Sequence, residues 1–371
     1  MTQRAGLPIE VCSDCDDISR RGFLRSVGAA AMLGAGATGL TLPGSRRLVA
    51  ATFEDTAPSA APRSDETVVK ALYDSLSEKQ RAAICMPFDH EKRSEVRNNW
   101  HIVPQAECSI GKFYTADQKA LITEILRGVT SEDGFERFQK QMQDDDGGFD
   151  NYTCAVFGEP GSGKFEWVMT GRHLTIRADG GSVENTAFGG PIFYGHAVTG
   201  EEKPDHPGNV WWHQARLANK VYEALDGKQR EKALVVASPA DRASVIDLRK
   251  AGEPEGIAAA DMSSDQKELL EATLRSMLSM YRKSDVDEAL DYIKKAGGID
   301  QLRLSFFQEG DLGDDGVWDR WMVRGPALAW YFRGSPHVHT WVNIARYADG
   351  AKAEKRERTA RAVDRAPQRR V

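Results

Sequence analysis

The chain is poor in several things that usually announce a function. Five cysteines in 371 residues are too few for a disulfide framework, and two of them, Cys12 and Cys15, fall in the first fifteen residues. Of the remaining three, Cys85 and Cys108 could pair in an oxidising compartment, and three buried thiols are the plainer reading. Basic charge is not in excess: the formal net charge is −6, and that field repels nucleic acid. No G-x-S-x-G nucleophile elbow occurs, which removes the usual serine-hydrolase arrangement. No heptad run marks an interface. Long apolar runs are also missing; the one candidate, Val27 to Gly44, is rich in Gly and Ala and too short and weak for a stable membrane span.

That run follows "SRRGFLRS", Ser19 to Ser26, in which Arg20 and Arg21 precede Phe23 and Leu24. An arginine pair before a weakly apolar stretch reads as a twin-arginine export signal over residues 1–50. The expectation is a periplasmic or extracellular protein, handed folded to the twin-arginine translocation machinery. An Ala/Pro/Ser linker at 51–66 separates the signal from the body. Residues 351–371 form a basic, uniformly polar tail.

With 41% hydrophobic and 28% charged residues, the body has material for a real core. It also repeats itself. "LYDSLSEKQRAAI" returns as "VYEALDGKQREKAL", placing Gln229 opposite Gln80, and "TADQKALITEIL" returns as "SSDQKELLEATL", placing Asp265 opposite Asp117. "WVMTGRHL" returns as "WMVRGPAL". The first two pairs have helical spacing with Thr115 and Ser263 as N-caps; the third alternates as strands do. The expected fold is α+β with an internal duplication over residues 67–350. Each copy, about 67–200 and 210–350, is a set of helices followed by antiparallel strands, and the two pack as one pseudo-twofold body.

One motif points elsewhere. "GEPGSGK", Gly158 to Lys164, has most of a phosphate-binding loop, but Phe165 replaces the Ser or Thr that would hold magnesium. A phosphate loop must open a helix, whose N-terminal amides bind the anion. The segment after it, "FEWVMTGRHLTIR", has strand character, so the loop reads as a hairpin turn.

The histidines carry the chemistry. His337 and His339 sit two apart in a strand pattern, so their rings share a face. His173 lies in "TGRHLTIR", read as strand, and His196 closes "FGGPIFYGH". If strands of the two copies meet, His173, His337 and His339 converge as ligands for a divalent ion: zinc, copper or iron. Arg172 is expected to orient an anionic substrate or stabilise negative charge, and His196 to act as an acid–base group or to support a ligand from behind. The substrate would be a small molecule of unspecified kind. A non-catalytic binding or structural module is the other possibility, with Trp211 and Trp212 in "NVWWHQ" stacking on carbohydrate.

"GRHLTIRADG…FGGPIFYGH" and "GPALAWYFRGSPHVHTWVN" together resemble a family of exported bacterial proteins catalogued as domain of unknown function 3500. The pattern is a Gly-x-His-Leu strand, a Gly/Pro-rich segment and a late His-x-His, matched here by Gly171, His173, Leu174, His337 and His339. The resemblance implies no reaction. Many members place an acidic residue on the strand before His-x-His; here that strand reads "LAWYF", leaving Glu184 or Asp179 as substitutes.

Overall fold

The computed structural model describes residues 65–161, 163–198, 206–249, 255–313 and 315–346. The export signal, the linker up to residue 64 and the tail lie outside these residues. Among the described residues no helix is long and apolar enough to cross a membrane.

The chain is a mixed α+β structure built on one large sheet. Helices α1 (Asp65–Ser75) and α2 (Glu78–Ile84) lead into a short strand, β1 (Cys85–Met86). Two one-turn helices then precede α3 (Ala116–Val129) and α4 (Glu132–Asp146). Four strands follow: β2 (Thr153–Gly158), β3 (Phe165–Gly171), β4 (Leu174–Ala178) and β5 (Ile192–His196). The order then recurs. Helices α5 (His213–Ala224) and α6 (Gly227–Ala233) lead into β6 (Leu234–Val235). After β7 (Ile257–Ala258) come α7 (Ser264–Leu278) and α8 (Lys283–Lys295). Strands β8 (Arg303–Phe307), β9 (Arg320–Gly325), β10 (Leu328–Arg333) and β11 (Val338–Ile344) complete the sheet.

Its strand order is β1-β2-β3-β4-β5-β11-β10-β9-β8-β6, with β7 attached to β8. The sequence reads inward from one edge to β5 and outward from β11 to the other. Each outer pair, β1–β2 and β6–β8, is parallel, and the pairs between them are antiparallel. The seam is β5 against β11, with His196 opposite Val338 and Gly195 opposite His339.

The helix caps also match. Ser77 with Gln80 and Thr115 with Gln118 form capping boxes on α2 and α3. Asp226 with Gln229 and Ser263 with Gln266 do the same on α6 and α7. The glutamines then bridge the helices in pairs: Gln80 donates to Gln118 at 2.8 Å, and Gln229 to Gln266 at 3.0 Å. Gln118 also donates to the Ser75 carbonyl and Gln266 to that of Ala224, each at the end of the preceding helix.

The sheet is buried on both sides, so nearly every position of its longer strands is buried, polar ones included. The helices and the larger core cover one face. Crossing segments cover the other, over a smaller apolar patch that includes Val96, Phe193, Val245, Phe307, Tyr331 and Trp341. Backbone in such covered segments needs partners. Long polar side chains on that face supply them. Arg177 reaches the Arg93 and Glu95 carbonyls, Arg324 those of Val245 and Asp247, and Asn343 that of Ile246. Glu166, fully buried, pairs with Arg177 at 2.6 Å and Arg93 at 2.8 Å.

Residues 158–164 connect β2 to β3 as a turn opening a strand, so no helix terminus faces an anion there. Cys85, Cys108 and Cys154 are free, which sets aside a Cys85–Cys108 bridge. Trp211 and Trp212 are 0% and 3% exposed, which removes them as a surface platform for carbohydrate.

Gln118→Ala should remove a cap and two bridging bonds at a buried position. The expected cost is about 2 kcal/mol, read from urea denaturation, with Gln266→Ala losing a similar amount.

Candidate metal centre

The His-x-His pair lies as the two-residue period demands. His337 immediately precedes β11 and His339 is within it; both rings project onto the face that carries Trp341, away from the helices. Their ring centroids are 4.7 Å apart and their Nε2 atoms 3.0 Å apart.

His173 arrives differently from the expectation. It is not within a strand but in the turn between β3 and β4, at φ 54°. That is the left-handed region, which costs a non-glycine residue about 1 kcal/mol or more. Three hydrogen bonds hold it there. Its N–H donates to the Asn98 carbonyl at 2.8 Å, and its carbonyl accepts from Gly195 N–H at 3.1 Å and Gln141 Nε2 at 2.8 Å. Gln141 is fixed in turn by the Trp211 indole N–H at 2.7 Å. The result turns the His173 ring over the seam, with Nε2 3.1 Å from His339 Nε2.

Gly195 makes this approach possible. A Cβ there would stand 2.3 Å from the Val338 carbonyl oxygen and 3.4 Å from the His339 ring. The bare backbone lets β11 and the β3–β4 turn close on each other.

Ligand atoms of the three imidazoles all lie within 4.8 Å of one another, and the residues are 0–3% exposed. A first-row ion bonded to imidazole at about 2.0–2.1 Å holds ligand nitrogens about 2.9 Å apart at right angles and about 3.3 Å apart in a tetrahedron. The observed 3.0 and 3.1 Å separations fall inside that interval. The group could therefore hold a metal ion.

Two carboxylates grip the far side of the cluster. Asp241 Oδ2 lies 2.7 Å from His339 Nδ1 and 2.8 Å from Arg333 Nη1, while its Oδ1 accepts from the Trp341 indole at 2.6 Å. Burial works against ionising Asp241, but His339 and the Arg333 guanidinium overcome it and hold the carboxyl well below its ordinary range. Asp145, at the end of α4, has Oδ2 2.9 Å from His173 Nδ1 and Oδ1 accepting from Ala197 N–H at 2.9 Å. Here burial dominates and pushes the carboxyl up to about 8.

The imidazoles are all held below their usual range. Burial is the main cause for each. Arg172 adds to it for His173 and neighbouring His339 for His337. His339 falls to about 4 through burial and Arg333, against the pull of Asp241. The rings are neutral at physiological pH, the state in which imidazole binds a metal.

The other expected residues are placed as follows. Arg172 neighbours the cluster in the same turn, and its charge acts on both His173 and His337. His196 is not brought to the cluster. Its ring points to the helical face, where Nδ1 accepts from Val210 N–H at 3.1 Å and Nε2 faces Asp144 at 3.0 Å. Asp179 and Glu184, considered as substitute carboxylates, line a separate cleft of about 370 Å³ that none of the three histidines borders. Asp145 and Asp241 take the supporting place instead. Asp145 had a sequence signal: Asp144, Asp145 and Asp146 end α4, where the helix dipole disfavours negative charge. Asp241, in a connecting segment, had none.

Fold and site define a mixed α+β protein with a buried three-histidine group backed by carboxylates. Residues 63–349 match the family model described as protein of unknown function DUF3500, and the chain belongs to that family. No curated protein and no solved structure matches it.

Asp241→Ala should strand Arg333, which is 5% exposed, without its counter-charge. A loss of about 3–5 kcal/mol is expected in chemical denaturation of the metal-free protein. Asp241→Asn, which keeps the shape, should lose less.

Proposed function

We propose that this is an exported metal-binding protein, and that His173, His337 and His339 hold one divalent ion through Nε2 in a metal-dependent enzyme. The observation that carries the reading is the direction of the ring nitrogens. Asp241 and Asp145 face the Nδ1 atoms of His339 and His173. A neutral ring that donates from Nδ1 to a carboxylate keeps a bare lone pair on Nε2. Ionised Asp241 thus turns the His339 lone pair toward His173 Nε2 at 3.1 Å, the spacing of two ligands on one ion. Carboxylate–imidazole pairs are also how metal-bound histidines are oriented and made more basic.

Three protein donors leave at least one coordination position open, the pattern of catalytic rather than closed structural zinc sites. With zinc, the ion would lower the pKa of a bound water and make it a nucleophile at neutral pH; copper or iron would supply redox chemistry. The all-imidazole set suits any of the three. Export in the folded state, supported by the arginine pair at Arg20–Arg21, is compatible with an ion loaded before translocation.

We also infer that the two runs of elements descend from an internal duplication, packed about a pseudo-twofold axis. The repeated segments, the inward-then-outward strand order and the paired glutamine bridges support it. On this reading the ligands are additions to the shared scaffold, since His173 has Ala327 as its counterpart.

Elemental analysis of protein purified from its native host should give about one equivalent of metal per chain. His339→Ala should lower this to near zero while leaving the far-ultraviolet circular dichroism unchanged. Native protein free of metal would contradict the proposal.

A further inference from the structure

We propose that the open position at the three-histidine centre takes a small oxyanion of carboxylate size, gripped by Arg172. The inference rests on the metal reading above and adds a ligand class to it.

Arg172 is the unusual guanidinium of the molecule. Its Nε and Nη1 are buried, yet neither has a hydrogen-bond partner among the described residues. Arg177, on the same sheet, shows the contrast: its Nε, Nη1 and Nη2 all bond to carbonyls or Glu166. Leaving charged donors without acceptors away from water is costly. Nothing in the backbone lets Arg172 escape. The Tyr152 hydroxyl donates to its carbonyl at 2.8 Å, and it forms a bridge with Asn99. The next residue in the same turn is the ligand His173. The vacant donors thus belong to the residue next to a ligand, and their charge acts on both His173 and His337.

Charge leads to the same ligand. The ionisable groups around the cluster are two guanidiniums, Arg172 and Arg333, and three carboxylates, Asp145, Asp146 and Asp241. Asp144 is matched by Lys140. A divalent ion set near the guanidiniums of Arg172 and Arg333 makes the setting more positive, which favours an anion on the open position. The aromatic wall formed by Phe193, 5.3 Å from the His339 ring, keeps the setting apolar and strengthens each of these attractions.

Burial sets the size. The three imidazoles are no more than 3% exposed, so the ligand proposed is a small one. Formate, bicarbonate and the carboxylate end of a slender acid have that size. A carboxylate could place one oxygen on the ion and the other on the guanidinium.

The test uses the full-length protein loaded with cobalt(II), whose visible spectrum reports its ligands, titrated with formate and with its neutral analogue formamide. Formate should change the spectrum saturably and formamide should not. Arg172→Gln should keep one cobalt per chain and bind formate at least tenfold more weakly. Equal response to formate and formamide, or unchanged formate affinity in Arg172→Gln, would overturn the proposal and leave the metal centre standing. Should Arg172→Gln fail to fold, the formate–formamide comparison on the unaltered protein decides alone. Failure of the unaltered protein to take up cobalt would overturn the metal reading and this proposal with it.

Discussion

Three buried imidazoles whose ligand atoms all lie within 4.8 Å of one another, with Nε2 of His339 3.0 Å from that of His337 and 3.1 Å from that of His173, are an electrostatic constraint on everything around them. Protonated rings would bury like charges, and neutral rings can meet only where an N–H of one faces a lone pair of another. Ionised Asp241 sharpens the conflict by occupying Nδ1 of His339, which turns the lone pair of that ring toward its neighbours. A bound cation would resolve it. The strained turn at His173, the bare backbone at Gly195 and the Trp341–Asp241 bond all follow from holding that convergence in place.

The architecture explains why the cluster sits at the seam. A sheet whose sequence runs inward to β5 and outward from β11 brings two distant parts of the chain side by side at its centre. His173 and His339 are 166 residues apart in sequence and become neighbours only through that pairing. Each half contributes one carboxylate as well: Asp145 from the end of a helix, Asp241 from a segment crossing the opposite face. The centre therefore ties the halves, and an ion bound there would stabilise the folded state over the unfolded one by mass action.

Legibility in the sequence tracked the range of the interaction. Local periodicities were readable. The two-residue spacing of His337 and His339 gave their shared face, the N-caps Thr115 and Ser263 announced two helices, and Phe165 with its β-branched and aromatic successors marked a strand where a phosphate loop would need a helix. What depended on tertiary contact was less visible. His173 was expected in a strand because "TGRHLTIR" alternates; its left-handed turn is imposed by Asn98, Gln141 and Gly195, residues scattered along the chain. Trp211 and Trp212 looked available in the sequence and are buried, one of them bonded to Gln141. Asp241 carries no local pattern, because its role is defined by three partners 92 to 100 residues later.

The most direct test of the central claim is a crystal structure with anomalous diffraction collected at the absorption edge of the metal carried by protein from its native host. The account requires a single strong anomalous peak about 2.0–2.2 Å from Nε2 of His173, His337 and His339. A peak located elsewhere, or a direct hydrogen-bonded contact between the rings with no ion between them, would contradict it.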